Sequence, residues 1–438
     1  LLRRDPHYFL PTLDRGYVLF GADAEATRSM IHGFFSGEDA RADARLAEEL
    51  AAFRADVGPT WLEEPLSIEE TAERCVRPAM REPFIALCRG SVGDYLDRFG
   101  FRSDLLKAMY AVTDGFTGLY GSYRTKGTGM NFLIHNMCRL PGSDGTWMIV
   151  RGGMGTVTSR LAELAEAAGA RIDVGRPVTA VETHGGAARG VVLADGERID
   201  AEVVVLGSDP FSGLALLGEA APLAYRDRVR SYERDGTTFK LNMALRSLPR
   251  FTCLPEDRGQ HRGTIHILPQ QDDVISSLER AFAEVEAGRL PESPAIEWYI
   301  HTPVDPSLAD PEGRHSAALF VQWVPYRLAD GDWETQRERY ARHLLSICDR
   351  FAPGTSELVE DTFALAPPDI ERHFGMHRGH IHHVDNRFGF DDRLPYRIPI
   401  DGLYNCGAGC HPGGSVIGAA GYNAARAVLR DLGRPSAV

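Results

Sequence analysis

The stretch from Gly407 to Arg426 reads GAGCHPGGSVIGAAGYNAAR and decides the fold of the chain. It follows a predicted strand over 402–407 and leads into a predicted helix over 416–432 that is rich in small residues. Glycine is needed where the backbone closely approaches a ligand, because any Cβ would collide. A helix N-terminus adds free N–H groups and a partial positive charge of roughly +0.5. The stretch therefore suits a phosphate or a reduced flavin, and the alternative is a glycine turn before a tightly packed helix without ligand.

A second α/β pattern lies in the middle of the chain. The sequence WMIVRGGMGTVTSRLAELAEAAGARIDVG over 147–175 predicts a strand or turn, a glycine turn, an amphipathic helix ended by Gly169, and a short strand. Strands are predicted over 178–183, 190–193 and 203–206, separated by tight turns. Such alternation is typical of an α/β nucleotide-binding domain.

The remaining segments predict two further parts. Residues 1–145 begin with strands and continue as a mostly helical cap, with helices beginning after Asp23 and Ser36 and an ordered loop over 113–131. Residues 216–393 predict a substrate domain of sheet and helices. The nucleotide-binding domain is thus assembled from segments 146–215 and 394–438.

Bulk composition excludes one class of partner. The chain has 438 residues, a net charge of −13 and a pI of about 5.6, so a nucleic-acid partner is not expected. Its seven cysteines are odd in number and scattered, which favours reduced thiols in a cytosol. We expect a bacterial, cytoplasmic protein, and peripheral membrane contact stays open.

Three segments resemble a known superfamily of flavoproteins. GGMGTVTSRLAELAEAAGARI, ADGERIDAEVVVLGSDP and LYNCGAGCHPGGSVIGAAGYNAAR look like the phytoene desaturase / flavin amine oxidase superfamily. APPDIERHFGMHRGHIHH and FKLNMALRSLPRF narrow the resemblance to the group of pyridine nucleotide-disulphide oxidoreductase domain-containing protein 2 and its bacterial relatives. The resemblance implies an α/β fold (α+β overall): an FAD/NAD(P)-binding Rossmann-like domain, incomplete at its N-terminus, with a mixed-sheet substrate domain and a helical cap.

The resemblance also assigns cofactor-binding residues. It implies non-covalently bound FAD, with Gly152, Gly153 and Gly155 at the junction of flavin and substrate. Val178 lies on the strand that contacts the adenine through its backbone. The residues expected along the flavin are Gly407, Gly409, His411, Pro412, Gly413, Gly414, Ser415 and Val416.

One expected motif is missing from the sequence. A dinucleotide-binding fold begins with a strand, a GxGxxG turn and a helix, and no such motif precedes residue 23. The hypothesis is an N-terminally truncated sequence that lacks one βαβ unit. Such a fragment is expected to bind FAD weakly or not at all.

Two residues are candidates for catalysis. His383 matches the family's loop and could line the substrate cavity, although a structural histidine explains it equally well. Lys240 lies within an apolar strand and could reach a water near the flavin, unless it occupies the strand's solvent face. His373 and His377 lack accompanying carboxylates or cysteines, so no metal site is predicted. Cys406 and Cys410 are predicted to be packing thiols rather than a redox disulfide.

The sequence therefore predicts an FAD-dependent oxidoreductase. It would transfer a hydride from a substrate C–H bond to flavin N5, and its substrate would be a small, lipophilic molecule. The helix beginning near Ser415 would stabilise the anionic reduced flavin. Oxidation of an amine C–N bond and a non-catalytic, flavoprotein-like scaffold are the alternatives. The oligomeric state stays open.

Overall fold

A computed structural model describes residues 1–137, 148–270, 273–414 and 416–435. It has a mixed α/β architecture, as predicted. The elements of the first segment are β1 (Leu2–Arg3), β2 (Tyr8–Pro11), β3 (Tyr17–Phe20), α1 (Ala24–Phe34), α2 (Gly37–Val57), α3 (Ile68–Arg74), α4 (Arg81–Arg89), α5 (Val92–Asp97), α6 (Asp104–Tyr110) and α7 (Thr128–Met137). After three short strands, this segment is a layer of helices.

The remaining elements alternate between strands and helices. Up to residue 231 they are β4 (Met148–Ile149), α8 (Gly155–Ala167), β5 (Val178–His184), β6 (Ala187–Leu193), β7 (Arg198–Asp200), β8 (Val204–Leu206), α9 (Pro210–Leu217) and α10 (Leu223–Ser231). Beyond it they are β9 (Thr238–Leu245), β10 (Thr264–Ile267), α11 (Val274–Glu286), β11 (Ala295–Ile300), β12 (His315–Gln322), α12 (Trp333–Phe351), α13 (Thr355–Leu358), β13 (Val359–Leu365), α14 (Pro367–Phe374), β14 (Leu403–Asn405) and α15 (Ala419–Asp431).

The two N-terminal helices begin where their capping residues predict. The Asp23 carboxylate accepts hydrogen bonds from the backbone N–H groups of Glu25 and Ala26. The Ser36 hydroxyl accepts one from the N–H of Asp39. These side chains satisfy N–H groups that have no partner within the helix, which fixes the helix starts from local sequence alone.

The prediction of a loop over 113–131 is wrong at the C-terminal end of that range, because α7 begins at Thr128. Gly129 lies on the face of α7 that packs against the end of α4. A Cβ at this position would lie 2.1 Å from the carbonyl oxygen of Leu87. The helix is therefore stabilised by close packing between backbones that are distant in sequence.

Replacing Gly129 with alanine is expected to destabilise the fold, although alanine favours an isolated helix by about 1 kcal/mol. The added methyl group overlaps rigid backbone, and overpacking of this kind costs about 1–3 kcal/mol or more. Urea unfolding measures the change, and Gly421→Ala is the control, because Gly421 lies in α15 with open space around it. Equal or greater stability of G129A would show that α4 and α7 do not pack this closely.

A seven-stranded mixed sheet, in the order β13-β9-β12-β11-β10-β2-β3, forms the centre of the part predicted to bind the substrate. Its neighbouring strands are antiparallel except for β10 and β2. One face is apolar and shares a core with residues of α12. Because side chains alternate along a strand, the opposite face carries Tyr8, His266, Glu297, Tyr299 and Lys240. This polar face is turned toward the segment that precedes α7.

The part predicted to bind a nucleotide is smaller and differs from prediction in two places. β8 pairs with β14 in parallel, and β5, β6 and β7 form an antiparallel sheet. No strand forms over 171–174, where one is predicted after Gly169. The C-terminal helix begins at Ala419 rather than at residue 416, because Val416 has a φ of 57° and Gly418 a φ of 70°. Left-handed residues cannot belong to a right-handed helix.

The later helix start corrects the expectation that this helix begins near Ser415. Ser415 itself lies outside the described residues. The backbone around Val416 instead forms an irregular turn, with the side chain 58% exposed. The free N–H groups of α15 therefore lie several residues beyond the predicted position.

Candidate functional site

A cavity of about 270 Å³ lies between the polar face of the large sheet and the segment that precedes α7. Its lining is contributed by six separate stretches of the chain. The lining residues are Arg4, Thr113, Thr117, His135, Met148, Ile149, Arg262, Gly263, Thr264, Glu297, Tyr299, Ile300 and His301. A concave site with several convergent polar groups is the usual form of a small-molecule site.

One wall of the cavity is built around the buried carboxylate of Glu297. Its Oε1 accepts hydrogen bonds from Thr117 Oγ1 at 3.3 Å and Gln322 Nε2 at 3.4 Å, and its Oε2 accepts one from the Tyr299 hydroxyl. Burial raises the pKa of Glu297 above its ordinary value, and it raises the pKa of Tyr299 as well. Perturbed ionisable groups beside a cavity are typical of functional sites.

A second group of buried side chains supports the same wall. The Tyr8 hydroxyl lies 2.8 Å from His266 Nδ1, and Thr113 Oγ1 lies 2.8 Å from His266 Nε2. Burial lowers the pKa of His266 to about 3, so the imidazole is neutral at physiological pH. One ring nitrogen then donates a hydrogen bond and the other accepts one. These two bonds connect Tyr8 of β2 and His266 of β10 to Thr113, which lines the cavity.

Lys240 lies on the same sheet face but does not line the cavity. Its Nζ is 5.9 Å from the centroid of the Phe320 ring, the residue opposite it on β12. Burial lowers the pKa of its ammonium group, while the charge of Glu297 raises it. Its predicted role near a flavin stays a prediction.

The glycine turn at the predicted flavin–substrate junction flanks this cavity. Gly152 and Gly153 have φ angles of 78° and 87°, which glycine adopts without strain. The N–H of Gly152 donates to Asp305 Oδ2 at 2.6 Å, and the N–H of Asp305 donates to the carbonyl of His301 at 3.0 Å. Because Ile149 and His301 both line the cavity, the turn is fixed to its rim on two sides. Gly155 is the first residue of α8.

The C-terminal glycine stretch is organised by Arg393, which sequence reasoning missed. This guanidinium is 1% exposed, and burial lowers its pKa to about 10. It makes five hydrogen bonds, all to uncharged oxygens: Cys410 O (3.2 Å), Ala408 O (2.8 Å), Val384 O (3.2 Å), Phe388 O (3.0 Å) and Asn386 Oδ1 (3.0 Å). No local motif indicates this role, since two of these partners lie 15 and 17 residues further along the chain.

A buried chain of hydrogen bonds connects Arg393 to the cavity. Besides accepting from Arg393, Asn386 donates from Nδ2 to His382 Nδ1 at 3.3 Å. His382 Nε2 lies 2.8 Å from the Thr117 carbonyl, which can only accept, so this nitrogen carries the proton. Burial lowers the pKa of His382 to about 3, which keeps the ring neutral. The glycine stretch and the cavity are thus held in one rigid network.

His411 and His383 each present a buried nitrogen that has no hydrogen-bond partner among the described residues. These atoms are His411 Nε2 and His383 Nδ1. The His411 ring lies between Trp61 and Phe390, with centroid distances of 5.4 and 5.6 Å. Burial lowers the pKa of both imidazoles, that of His411 to about 4. A buried polar atom without a partner calls for an explanation, and a ligand or a water is one of them.

The other histidines and the two C-terminal cysteines have structural surroundings. His377 stacks on Phe211 at 4.1 Å and lies 3.0 Å from a Glu233 carboxylate oxygen. Within the described ranges, no cluster of three or more metal-ligating side chains occurs. Cys406 and Cys410 are free thiols, and burial raises the pKa of Cys410 to about 12. A thiol of such high pKa is a poor nucleophile.

Comparison with known proteins identifies the family. No protein-family model matches the chain. The mouse pyridine nucleotide-disulfide oxidoreductase domain-containing protein 2 is 33% identical over 98% of this chain and 80% of its own length. The chain belongs to this protein's family. A hydroxyneurosporene desaturase of Cereibacter sphaeroides is 27% identical over 96% of this chain and 81% of its own length.

Solved structures share the fold. An oxidoreductase from Methanosarcina mazei has a TM-score of 0.60 at 16% sequence identity. The match covers 98% of this chain and 82% of the chain of that oxidoreductase. Wild-type putrescine oxidase bound to putrescine has a TM-score of 0.57 at 16% identity, over 99% of this chain and 82% of its own. The predicted superfamily and fold are confirmed, and the chain is an FAD-dependent oxidoreductase.

The residues around the C-terminal stretch fit the flavin part of FAD. The orphaned nitrogens of His411 and His383 offer hydrogen bonds to a polar ring. A Cβ at Gly414 would meet no atom nearer than Ala408 Cβ at 3.5 Å, so the backbone there is open to a ligand. The pyrophosphate end of FAD has no GxGxxG turn in this sequence.

The segment predicted to bind adenosine exposes apolar side chains. Leu164 of α8 is 67% exposed and Val174 is 85% exposed, while Val178 and Val205 are 38% and 43% exposed. α8 has no buried residue. Exposed large apolar side chains gathered in one segment are typical of a contact face.

Proposed function

We propose that the chain dehydrogenates a small organic molecule that binds in the cavity between the large sheet and the segment preceding α7. The observation that carries the proposal is the position of the cavity. It lies against the Gly152–Gly153 turn on one side and is linked to the C-terminal glycine stretch on the other. Bound FAD would supply a hydride acceptor at N5. His411, His383 and the backbone around Gly414 would hold its ring.

The chain's own residues would bind the substrate and accept a proton. Removal of a hydride from one substrate atom leaves a proton to be lost from the neighbouring atom. Glu297 is proposed to accept that proton, because a carboxylate of raised pKa is suited to general base catalysis near neutral pH. Met148, Ile149 and Ile300 would hold the apolar part of the substrate away from water. These apolar contacts support the lipophilic character expected from the sequence.

Oxidation of an amine C–N bond is the second candidate reaction. The buried Glu297 carboxylate is the observation that favours it, since an ammonium group could pair with it.

Cytoplasmic location also stays a proposal, supported by the free state of the six cysteines that the structure describes. Among the described residues, no helix is both long enough and apolar enough to span a bilayer.

Substitution of Gly414 tests the cofactor site. Gly414→Leu is expected to weaken FAD binding at least 10-fold, because the new side chain fills open space beside the backbone that the proposal assigns to the flavin ring. Gly421→Leu is the matched control and should bind FAD as the unchanged chain does, since Gly421 is exposed on α15. Quenching of flavin fluorescence measures the affinity, with both variants made in the chain preceded by a βαβ unit that carries a GxGxxG turn. Equal affinities of both variants would place the ring elsewhere.

The visible spectrum of the protein tests the class of reaction. It is recorded for this chain, and for the chain preceded by a βαβ unit that carries a GxGxxG turn, each after addition of FAD. The chain with the added unit is expected to retain FAD and turn yellow, and anaerobic addition of a substrate should bleach the flavin band. If neither form retains FAD, the proposed function fails and the scaffold alternative replaces it.

A further inference from the structure

Lys240 differs from the other two lysines of the chain in its surroundings. Lys107 forms ion pairs with Asp97 at 3.0 Å and with Asp104 at 2.7 Å, and Lys126 is exposed. Lys240 is half-buried within β9, and its ammonium group forms no hydrogen bond and no ion pair among the described residues. A half-buried amine without a partner carboxylate is held less firmly in its charged form than a paired one.

The electrostatic surroundings of Lys240 and Lys107 act in opposite directions. Burial lowers the pKa of Lys240, and the charge of Glu297 raises it by less, so the pKa lies below the ordinary value. Burial also lowers the pKa of Lys107, but hydrogen bonds with Asp104 and Asp97 raise it above the ordinary value. Lys240 therefore has the larger fraction of neutral amine at a given pH, and the neutral amine is the nucleophilic form.

An open groove of about 320 Å³ on the polar face of the large sheet begins next to Lys240. Its lining includes Asn242, Ser316 and Phe363. Asn242 follows Lys240 on the same face of β9, so their Cα atoms are roughly 7 Å apart, which a lysine side chain can span. Phe320 lies opposite Lys240 on β12, and Phe363 lies opposite Asn242 on β13 with 54% of its surface exposed. The two rings provide apolar contact surface on either side of the amine.

We propose that Lys240 is the covalent attachment site for a small aldehyde whose apolar body lies against Phe320 and Phe363. The neutral amine attacks the carbonyl carbon, so a C–N bond forms while the π electron pair of the C=O bond moves to oxygen. One proton moves from nitrogen to that oxygen and gives a carbinolamine. The hydroxyl group then leaves with the remaining N–H proton as water, and the C=N bond of an imine forms. The reaction needs no oxidant and no flavin, so it does not rest on the proposed function.

The test incubates the whole chain with hexanal and sodium cyanoborohydride, which reduces the imine to a stable secondary amine. Peptide mapping by mass spectrometry then measures the rate at which each lysine acquires a hexyl group. At neutral pH, Lys240 is expected to react about 10-fold faster than Lys107 or Lys126, because it combines an unpaired amine with an adjacent groove. Lys126 is not among the residues that line this groove.

Two further comparisons test the groove itself. Phe363→Ala should slow the labelling of Lys240 by hexanal at least about 3-fold, because the aldehyde loses apolar contact. Phe374→Ala is the matched control, since Phe374 is 59% exposed and does not line the groove. Acetaldehyde has almost no apolar body, so its preference for Lys240 over Lys126 should be smaller than that of hexanal.

Three results would overturn the proposal. They are equal labelling rates at the three lysines, unchanged labelling of Lys240 in F363A, and equal preference for Lys240 with hexanal and acetaldehyde. Phe363 is exposed, so F363A is expected to fold normally. The labelling is measured without FAD. Its failure would therefore leave the proposed dehydrogenation standing, and its success would not depend on that reaction.

Discussion

Replacing Arg393 with methionine is expected to lower the free energy of unfolding by about 3–5 kcal/mol and to abolish retention of FAD by the chain that carries an added N-terminal βαβ unit. Methionine has a similar length but cannot donate a hydrogen bond. Five oxygens therefore lose the hydrogen bond that they accept from Arg393. A buried acceptor without a partner costs about 1–3 kcal/mol. The total falls below the sum because neighbouring groups relax together and are not additive.

The experiment separates loss of the hydrogen bonds from loss of the charge. Urea unfolding measures stability, and Arg250→Met, at an exposed site, should change it by no more than about 0.5 kcal/mol. Arg393→Lys keeps the charge but has three donors instead of five, so it should recover only part of the loss. R393M with the stability of the unchanged chain would mean that the glycine stretch is held by other contacts.

Replacing Glu297 with glutamine is expected to slow substrate-dependent bleaching of bound FAD by about 100-fold or more, the usual effect of removing a general base. Glutamine has the same shape but cannot accept the proton at neutral pH. Stopped-flow absorbance in the absence of oxygen measures the rate, with the chain that carries the added βαβ unit and retains FAD. Glu219→Gln is the control, because Glu219 is exposed and is not among the residues that line the cavity.

The pH profile distinguishes a base from a structural carboxylate. Burial raises the pKa of Glu297, and only the deprotonated form accepts a proton. The rate of the unchanged chain should therefore rise with pH through a midpoint above the ordinary glutamate value, and E297Q should lack this rise. An identical rise in E297Q would assign the base to another group.

The stability of E297Q is a second measurement. The rate is expected to fall in this variant, whereas the free energy of unfolding at neutral pH is not. A carboxyl whose pKa is raised in the folded chain binds its proton more tightly there than in the unfolded chain. The folded chain therefore loses stability as the pH rises through that raised pKa. E297Q, which does not titrate, should not be less stable than the unchanged chain at neutral pH. Marked destabilisation would point to a mainly structural role.

Several features followed from the sequence alone because their causes are local. Asp23 and Ser36 begin their helices by bonding N–H groups two and three residues away. The strands predicted over 178–183, 190–193 and 203–206 lie close to the observed β5, β6 and β8, since apolar runs between turn residues are visible in short windows of sequence. The glycine stretch from Gly407 indicated both the superfamily and the class of cofactor.

Other features were decided only by tertiary structure, because their causes lie far apart in the chain. Glu297 meets Thr117, 180 residues earlier, and His266 meets Tyr8, 258 residues earlier, so no window of sequence contains the cavity. The start of the last helix at Ala419 depends on left-handed turns at Val416 and Gly418. Local sequence fixes which backbone shapes are available, whereas packing between distant segments selects among them and places the ionisable groups that carry the chemistry.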